Sequence, residues 1–176
     1  MDKDRMPGEE AVYELLNRLG MYWERWEHEP AATIRDCEEV GKRMGVSMCK
    51  NLFLCNRQHT EFYLLMLPGE KPFRTREISG QIPSSRLSFA EPEYLLRFLN
   101  LTPGAVSVMG LMNDRENRVK LLIDREILEE RYLGCHPCVN TSSIKLKMQE
   151  VLEIFLPSVK HSYQTVEILP AANEKT

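Results

Sequence analysis

Two adjacent apolar segments in the first half of the chain most restrict the folds that it can adopt. Residues 51–55 and 61–67 consist largely of Leu, Phe, Tyr and Met, and the polar stretch 56–60 separates them. Apolar runs of this length on either side of a short polar turn are typical of an antiparallel β-hairpin. The two segments therefore predict a hairpin, and with it a β-sheet.

Patterns typical of helices and strands alternate along the rest of the chain, without the strict rhythm of a parallel βαβ protein. Further strands are predicted over residues 21–27, 86–89, 119–124 and 165–169, and helices over residues 9–19, 34–44, 75–81, 92–99, 125–130 and 146–156. Thr33 is a suitable N-cap for the second helix, and Gly45 a suitable stop. Residues 134–143 are expected to form a loop. For residues 106–111, an ordinary turn and strand is the simplest interpretation.

The length and composition of the chain fit one globular domain. It has 176 residues, of which 43% are hydrophobic and 28% charged. Chains of ~150 residues bury roughly two-thirds of their unfolded surface, so a chain of this length can form a core without cross-links. We therefore predict an α+β fold: a single compact domain over residues 1–176, with a mixed, mostly antiparallel β-sheet flanked by helices.

The charge balance argues against one broad class of nucleic-acid-binding proteins. The chain has 23 Lys and Arg residues against 26 Asp and Glu residues, a formal net charge of −3. A strongly basic protein that binds DNA without regard to sequence is therefore not expected. A local basic patch remains compatible with this balance, and its candidate members are Lys42, Arg43, Lys71, Arg74, Arg76, Arg86, Lys145 and Lys147.

Cysteine content and hydropathy indicate a cytoplasmic protein. The five cysteines are odd in number and widely spaced, unlike the dense, even sets of small secreted proteins. No stretch of the sequence approaches the ~18 apolar residues that a membrane-spanning helix needs. We expect a protein of the reducing cytoplasm that does not insert into a membrane.

The most conspicuous short motif is Cys135-His136-Pro137-Cys138. A C-x-x-C pair of this kind resembles that of dithiol oxidoreductases, in which a helix directly after the motif activates the first thiol. Here the motif lies near the C-terminus and is followed by Val139-Asn140-Thr141. A zinc site is weaker still, because no second pair of ligands lies nearby. Packing of the cysteines in the core is the simpler explanation, and thiol redox chemistry stays an alternative.

Sequence signatures of several other enzyme classes are missing. The chain has no G-x-S-x-G, no H-E-x-x-H and no phosphate-binding G-x-x-x-x-G-K-[ST], and its four histidines are scattered. A catalytic triad, a zinc protease site and a nucleotide-binding loop are therefore not indicated.

Three other segments place polar groups or glycines beside apolar stretches. Lys50-Asn51 opens the strand Leu52-Phe53-Leu54, so a cation is expected at the edge of the core. Gly104 and Gly110 enclose an apolar stretch, and residues 136–141 carry several hydrogen-bonding side chains on one short loop. Each feature also has an ordinary structural explanation: a solvated strand end, a turn and strand, or a capped loop.

Taken in order along the chain, these segments resemble the YbaK/prolyl-tRNA-synthetase-associated domain family, in particular its free-standing ProX (PrdX-like) branch. The resemblance extends from about residue 27 to the C-terminal helix. Each segment alone is weak evidence for the family, whereas several segments in the family order are a specific match. The matching segments are Lys50-Asn51-Leu52-Phe53-Leu54, Leu87-Ser88-Phe89-Ala90-Glu91-Pro92-Glu93, residues 101–107, 110–114 and 119–124, and His136-Pro137-Cys138-Val139-Asn140-Thr141.

This resemblance implies both a fold and an activity. Members of the family are compact domains with a mixed β-sheet, and they act as trans-editing deacylases. They hydrolyse the ester that joins a wrong amino acid to the 3′ adenosine of a tRNA. The ProX branch removes alanine from tRNA(Pro). A synthetase pocket shaped for proline rejects alanine poorly, because the lost apolar contacts are worth only ~1–3 kcal/mol.

The resemblance also assigns roles to individual residues. Lys50 matches the lysine that faces the phosphate and sugar of the terminal adenosine. His136 matches the histidine that anchors the 3′ end and shapes the pocket. Gly104 matches the glycine of a G-x-x-x-P loop, whose backbone N–H groups can hold the ester carbonyl and stabilise the developing oxyanion. These three residues are the predicted catalytic set.

Four further residues are predicted to bind substrate. Asn51, Asn140 and Thr141 are candidates for hydrogen bonds in the pocket. Val108 stands where many relatives have the proline that ends the glycine loop. Since Val restores a backbone N–H and frees the φ angle, the specificity for alanine is less certain than the deacylase class.

The predicted chemistry needs no metal and no cofactor, because an aminoacyl ester is already activated. A bound water assisted by the substrate's own 2′ or 3′ hydroxyl can suffice. The expected partner is the aminoacylated 3′ end of tRNA(Pro), with prolyl-tRNA synthetase as a further candidate and DNA excluded. Two alternatives stay open: a deacylase for Cys- or Ser-charged tRNA, and a non-catalytic module that binds the tRNA 3′ end.

Overall fold

The predicted hairpin forms the middle of the fold. The computed structural model describes residues 7–84 and 86–172. In it, β2 (Cys49–Cys55) and β3 (Phe62–Pro68) pair antiparallel, and every residue of β3 is buried. The side chains at positions 62, 64 and 66 belong to one apolar cluster and those at 63, 65 and 67 to another, because successive side chains of a strand point to opposite faces. β3 therefore contributes to the core on both sides of its sheet.

β3 is the central strand of a five-stranded sheet with the order β4-β2-β3-β5-β8. The short strand β4 (Ser88–Phe89) pairs antiparallel with β2. On the other side, β5 (Val119–Asp124) runs parallel to β3, and β8 (Tyr163–Val166) runs parallel to β5. This sheet is therefore mixed.

The remaining strands form a second, antiparallel sheet with the order β1-β7-β6. Its members are β1 (Trp23–Glu27), β6 (Tyr132–Cys135) and β7 (Ser142–Lys147). An isolated bridge between Met48 and Gly134 joins it to the start of β2. A Cβ on Gly134 would lie 2.5 Å from the Met48 sulfur, so the absence of a side chain lets the two sheets approach.

Helices and helical turns surround the two sheets. They are α1 (Pro7–Arg18), α2 (Ile34–Met44), α3 (Thr75–Ser79), α4 (Pro92–Leu99), a 3₁₀ helix (Val108–Asn113), α5 (Arg125–Glu129) and a C-terminal helix over residues 148–158, whose middle turn is a π-helix (Val151–Phe155). The predicted N-cap of α2 is confirmed: Thr33 and Asp36 form a capping box. Gly45 ends α2 with φ 68°, as expected of a left-handed cap. Within the described ranges, no helix is long and apolar enough to cross a membrane.

The predicted fold class is confirmed, and the departures from the prediction are local. The strands divide into two sheets instead of one. Residues 134–143, predicted as a loop, contain the end of β6 and the start of β7, and only 136–141 form the turn between them. Gly134 and two serines at these strand ends hide the apolar alternation. The helix predicted from residue 146 consequently begins at Met148, after β7 has ended.

The other local departures concern three short segments. The last predicted strand, over residues 165–169, is displaced to Tyr163–Val166. The segment expected to be a turn and strand forms the 3₁₀ helix, and the Ser107 hydroxyl caps it by accepting from the Met109 N–H at 3.2 Å. The strand predicted over residues 86–89 is reduced to Ser88–Phe89.

Candidate functional site

A cavity of about 200 Å³ lies where the two sheets meet. This volume is small beside the ~300–1,000 Å³ of pockets for drug-sized ligands, so it suits a small group. Segments far apart in sequence supply its walls: the start of α2, the start of β2, the turn after α4, and the end of β6. The lining residues are Ala32, Thr33, Ile34, Cys37, Met48, Cys49, Lys50, Asn51, Leu52, Gly69, Gly104, Val106, Cys135 and His136.

Lys50 is half-buried at the cavity and makes a specific contact inside the protein. Its Nζ donates a hydrogen bond to the carbonyl oxygen of Lys71. Burial lowers the pKa of Lys50, while the charge of Glu70 acts in the opposite direction. Lys50 is therefore not a freely solvated strand end, and its ammonium group is held at the cavity by the backbone of a neighbouring loop.

Gly104 occupies a turn that only glycine can adopt without strain. Its φ is +89°, and a Cβ there would lie 3.3 Å from the Ala32 Cβ and 3.6 Å from Asn140 Nδ2. Both the left-handed backbone and the close approach of the start of α2 exclude a side chain. Among the residues that the structure describes, the backbone N–H groups of Gly104 and Val106 have no hydrogen-bond acceptor. This turn therefore offers two unused donors beside the cavity.

His136 is 6% exposed, and both of its ring nitrogens face protein groups. Nδ1 lies 3.1 Å from the Ser142 carbonyl oxygen and 3.2 Å from the Ser143 hydroxyl. Nε2 lies 3.2 Å from the Ala31 carbonyl oxygen and 3.7 Å from the Cys37 sulfur. Burial lowers the pKa of His136, although its bonds to backbone carbonyls act in the opposite direction. A neutral imidazole thus joins the turn 136–141 to the segment before α2.

Backbone hydrogen bonds support the same connection. The Ala31 N–H donates to the Asn140 carbonyl oxygen at 2.8 Å, and the His28 N–H donates to the Thr141 carbonyl oxygen at 3.0 Å. His28 Nε2 also lies 2.8 Å from the Ser143 hydroxyl. The turn after β6 and the segment 28–31 therefore form one wall of the site.

The structure brings together four of the seven predicted site residues. Lys50, Asn51, Gly104 and His136 all line the cavity. The side chain of Asn140 lies beside Gly104 but is not part of the lining. The remaining two, Thr141 and Val108, lie outside it as well: Thr141 is exposed, and Val108 is fully buried at the start of the 3₁₀ helix.

Sequence reasoning missed several residues that build this site. Ala31, Cys37 and Ser143 contact His136, and Val106 offers a backbone donor. A small or apolar residue whose contribution is a backbone atom leaves no signal in a sequence motif. Only the approach of α2 to the turn after β6 makes these groups part of the site.

The surroundings of the two cysteines of the C-x-x-C motif differ from those of a dithiol redox centre. Cys135 ends β6, and a turn followed by β7 comes after Cys138 where an oxidoreductase has a helix. Burial raises the pKa of Cys138 to about 12 and that of Cys135 well above its usual range, so both thiols are held neutral. Within the described ranges, no group of three or more His, Cys, Asp or Glu side chains could hold a metal ion.

Five of the eight residues of the basic patch predicted from the sequence make contacts inside the protein. Lys71 is buried in an ion pair. Lys42 and Arg74 each pair with a carboxylate three residues away. Lys145 and Lys147 lie over tyrosine rings, at 4.4 Å and 5.1 Å from the ring centres. The other three, Arg43, Arg76 and Arg86, are exposed and form no ion pair within the part of the chain that the structure describes.

Comparisons with known proteins give a matching family model, a similar curated protein and a similar fold. The model of the aminoacyl-tRNA editing domain matches residues 28–154. The chain is 27% identical over 163 residues to the prolyl-tRNA editing protein ProX of Acetoanaerobium sticklandii, covering 93% of this chain and 99% of that protein. Its fold is similar to the crystal structure of a candidate trans-editing enzyme for prolyl-tRNA synthetase, with a TM-score of 0.72, 14% identity, and coverage of 94% of this chain and 98% of that one.

Proposed function

Because the chain belongs to the aminoacyl-tRNA editing domain family, we propose that it is a trans-editing deacylase that removes alanine from mischarged tRNA(Pro). Aminoacyl-tRNA hydrolysis in prolyl-tRNA editing is the part supported by the family and by the ProX relative. Alanine as the amino acid is the finer part of the proposal. We further propose that the chain works as one editing unit in the cytoplasm.

One observation carries the proposal: Lys50, Gly104 and His136 line the same small cavity. They come from β2, from the turn after α4 and from the turn after β6, so their meeting is not a consequence of sequence proximity. A cation, a turn with free N–H donors and a buried imidazole are together suited to hold the tip of a charged tRNA.

The reaction is the hydrolysis of an ester. A water oxygen bonds to the carbonyl carbon, the carbonyl oxygen becomes an oxyanion, and the bond to the ribose oxygen then breaks. The neighbouring ribose hydroxyl relays the proton from the attacking water to the leaving ribose oxygen. In this scheme the protein supplies position and electrostatic stabilisation, which is sufficient for an activated ester.

Each of the three residues has a defined part in this scheme. The ammonium group of Lys50 faces the terminal phosphate and sugar, where a compact positive charge is most effective. The unused N–H groups of Gly104 and Val106 hold the ester carbonyl and its oxyanion. His136, whose two ring nitrogens are engaged by the protein, acts as a positioning residue that holds the wall of the cavity.

The size of the cavity supports a small amino acid. Cys37, Leu52 and Val106 contribute apolar surface to a volume of about 200 Å³. A cavity of this size suits a small amino acid, although its volume alone does not exclude a proline ring. Because Ser and Cys side chains are only slightly larger, the cavity alone does not separate them from Ala.

The decisive experiment offers the purified protein tRNA(Pro) charged with alanine, cysteine, serine or proline. We expect alanine to be released fastest and proline to be retained. If cysteine or serine is released faster than alanine, that amino acid is the preferred substrate, and the protein is still a deacylase. If the protein binds charged tRNA but releases none of the four amino acids faster than buffer does, it is a non-catalytic binding module and the deacylase proposal is wrong.

A further inference from the structure

A second concave surface lies at the far end of α1, outside the proposed active site. It has a volume of about 470 Å³ and is lined by α1, by the end of the 3₁₀ helix and by the end of the C-terminal helix. Arg18, Arg115 and Lys160 line it. A second groove of about 240 Å³ shares Arg115 with it and adds Arg97 and Arg118. We call the two grooves and these five cations the basic groove.

The five cations of the basic groove are exposed. Within residues 7–84 and 86–172, none of the five forms an ion pair with a carboxylate. Arg97 and Arg118 lie 5.3 Å and 5.2 Å from the centre of the Phe98 ring, which positions the guanidinium groups without using their N–H donors. The two grooves thus hold five cations against three carboxylates, a local excess of positive charge in a chain of net charge −3.

A buried carboxylate at the centre of the basic groove offsets one of these five charges, and its other partners hold it in place. Asp114 is buried and accepts hydrogen bonds from His161 Nε2 at 2.9 Å and from the backbone N–H groups of Arg118 and Val119 at 2.9 Å and 2.7 Å. Burial opposes ionisation of this carboxyl, but these bonds keep the pKa of Asp114 below its ordinary value. Two exposed carboxylates, Glu14 and Glu116, also line the grooves and reduce the positive charge in part.

Two elements connect the basic groove to the cavity. The 3₁₀ helix begins directly after the turn that contains Gly104 and Val106, and ends beside Asp114 and Arg115. Six residues of 3₁₀ helix span roughly 12 Å. α1 starts near the turn after β6, where a Cβ on Gly8 would lie 3.9 Å from the Cys138 Cβ, and it ends at Arg18. These two elements span ~12 Å and ~18 Å, so the basic groove and the cavity are close enough to contact the same tRNA acceptor end.

We propose that the basic groove binds the phosphodiester backbone of the tRNA acceptor stem while the charged 3′ end occupies the cavity. This inference rests on the proposed function. Arg and Lys neutralise backbone phosphates and displace their counterions, and this contribution does not depend on base sequence. In this proposal the basic groove supplies several phosphate contacts close together, and the cavity supplies the chemistry.

The test compares two triple variants that each remove three positive charges. One variant, Arg18→Gln, Arg115→Gln and Lys160→Gln, changes the basic groove. The matched control, Lys42→Gln, Lys120→Gln and Arg125→Gln, removes exposed cations that already pair with carboxylates elsewhere. Affinity for uncharged full-length tRNA(Pro) is measured over a range of salt concentrations. Release of alanine is measured from full-length Ala-tRNA(Pro) and from alanine esterified to adenosine alone.

For the basic-groove variant, we expect the slope of log affinity against log salt concentration to become shallower by roughly 2–3, since each phosphate contact contributes ~0.7–0.9. KM for full-length Ala-tRNA(Pro) should rise, while release from alanyl-adenosine stays unchanged. The control variant should keep the original salt slope. If the triple variant does not fold, Arg115→Gln and Lys160→Gln alone should each reduce the slope by about one.

Two outcomes separate the failure of this inference from the failure of the proposed function. Equal salt slopes for the two triple variants would overturn the basic groove as an RNA-binding surface, whether or not the protein is a deacylase. If the unaltered protein releases alanine from neither substrate, the proposed deacylase function is wrong. In that case, the salt slopes for uncharged tRNA still decide whether the basic groove binds RNA.

Discussion

The ammonium nitrogen of Lys71 lies 3.1 Å from the Oδ2 atom of Asp124, and both side chains are almost fully buried, at 5% and 1% exposure. Asp124 also accepts the backbone N–H groups of Glu126 and Ile168. The carbonyl oxygen of the same Lys71 accepts the hydrogen bond from the Lys50 ammonium at the cavity. An ion pair at the end of β5 therefore holds the backbone that positions a predicted catalytic cation.

The first prediction concerns this buried pair. Lys71→Met leaves the Asp124 carboxylate buried without its cation, so we expect the free energy of unfolding to fall by ~3–5 kcal/mol. The matched control is Lys120→Met, which breaks the exposed pair with Glu61 and should cost less than ~1 kcal/mol. Urea unfolding of the two variants measures the difference. Equal losses would mean that the buried pair contributes no more than a surface pair.

Replacement of Lys50 tests the proposed cation. Lys50→Ala should lower kcat/KM for Ala-tRNA(Pro) by at least about tenfold, equivalent to ~1.4 kcal/mol of transition-state stabilisation, while the fold survives. Lys42→Ala removes a lysine that is 73% exposed and should leave turnover unchanged. Deacylation kinetics and circular dichroism of both variants check this prediction. Full turnover by Lys50→Ala would remove this residue from the active site.

The glycine turn is tested by two alanine substitutions. Gly104→Ala meets both a left-handed φ of +89° and the Ala32 Cβ at 3.3 Å, so the turn must shift. Gly20→Ala has a similar φ of +68° but no atom within 4 Å of its Cβ. Both variants should lose stability by ~1–2 kcal/mol from backbone strain, whereas only Gly104→Ala should lose most of its deacylation rate. Thermal unfolding and single-turnover kinetics separate the two effects, and equal rates would argue against the turn as an oxyanion site.

The positioning role of His136 predicts an effect on the shape of the cavity. The neutral imidazole of His136 donates one hydrogen bond, so His136→Asn leaves a buried backbone carbonyl group poorly satisfied, which should cost ~1–3 kcal/mol of stability. KM for charged tRNA should rise together with a fall in kcat. His59→Asn is the control, because His59 is exposed on the hairpin turn and asparagine tolerates its φ of 56°. If the variant loses stability but keeps its kinetic constants, His136 stabilises the fold and has no role in shaping the cavity for substrate.

The cysteines provide the test of the redox alternative. Because burial keeps both thiols neutral, the double variant Cys135→Ser and Cys138→Ser should keep its deacylation activity. We expect a modest loss of stability, because two buried sulfur atoms are replaced by hydroxyl groups. Deacylation and insulin-reduction assays on the same preparation give the comparison. If the unaltered protein reduces insulin and the double variant loses both insulin reduction and deacylation, the dithiol hypothesis is supported.

Local patterns predicted much of the fold correctly. The hairpin β2–β3, the capped helix α2 and the strand β5 were all visible in the sequence, because each depends on apolar runs and caps of neighbouring residues. The turn between β6 and β7 was not, since its strands are short and contain glycine and serine. The 3₁₀ helix was also missed, because an apolar run of six residues has no period that separates it from a strand.

The sequence by itself determined the central hairpin and most of the helices. Through motifs in the family order, it also identified Lys50, Gly104 and His136 as candidates. Only the tertiary structure decided what these residues touch. His136 contacts Ala31 across a separation of 105 residues, and Lys50 contacts the backbone of Lys71 on a neighbouring loop. Contacts of this kind follow from the way sheets and loops pack, and many of the atoms involved belong to the backbone, which every residue shares.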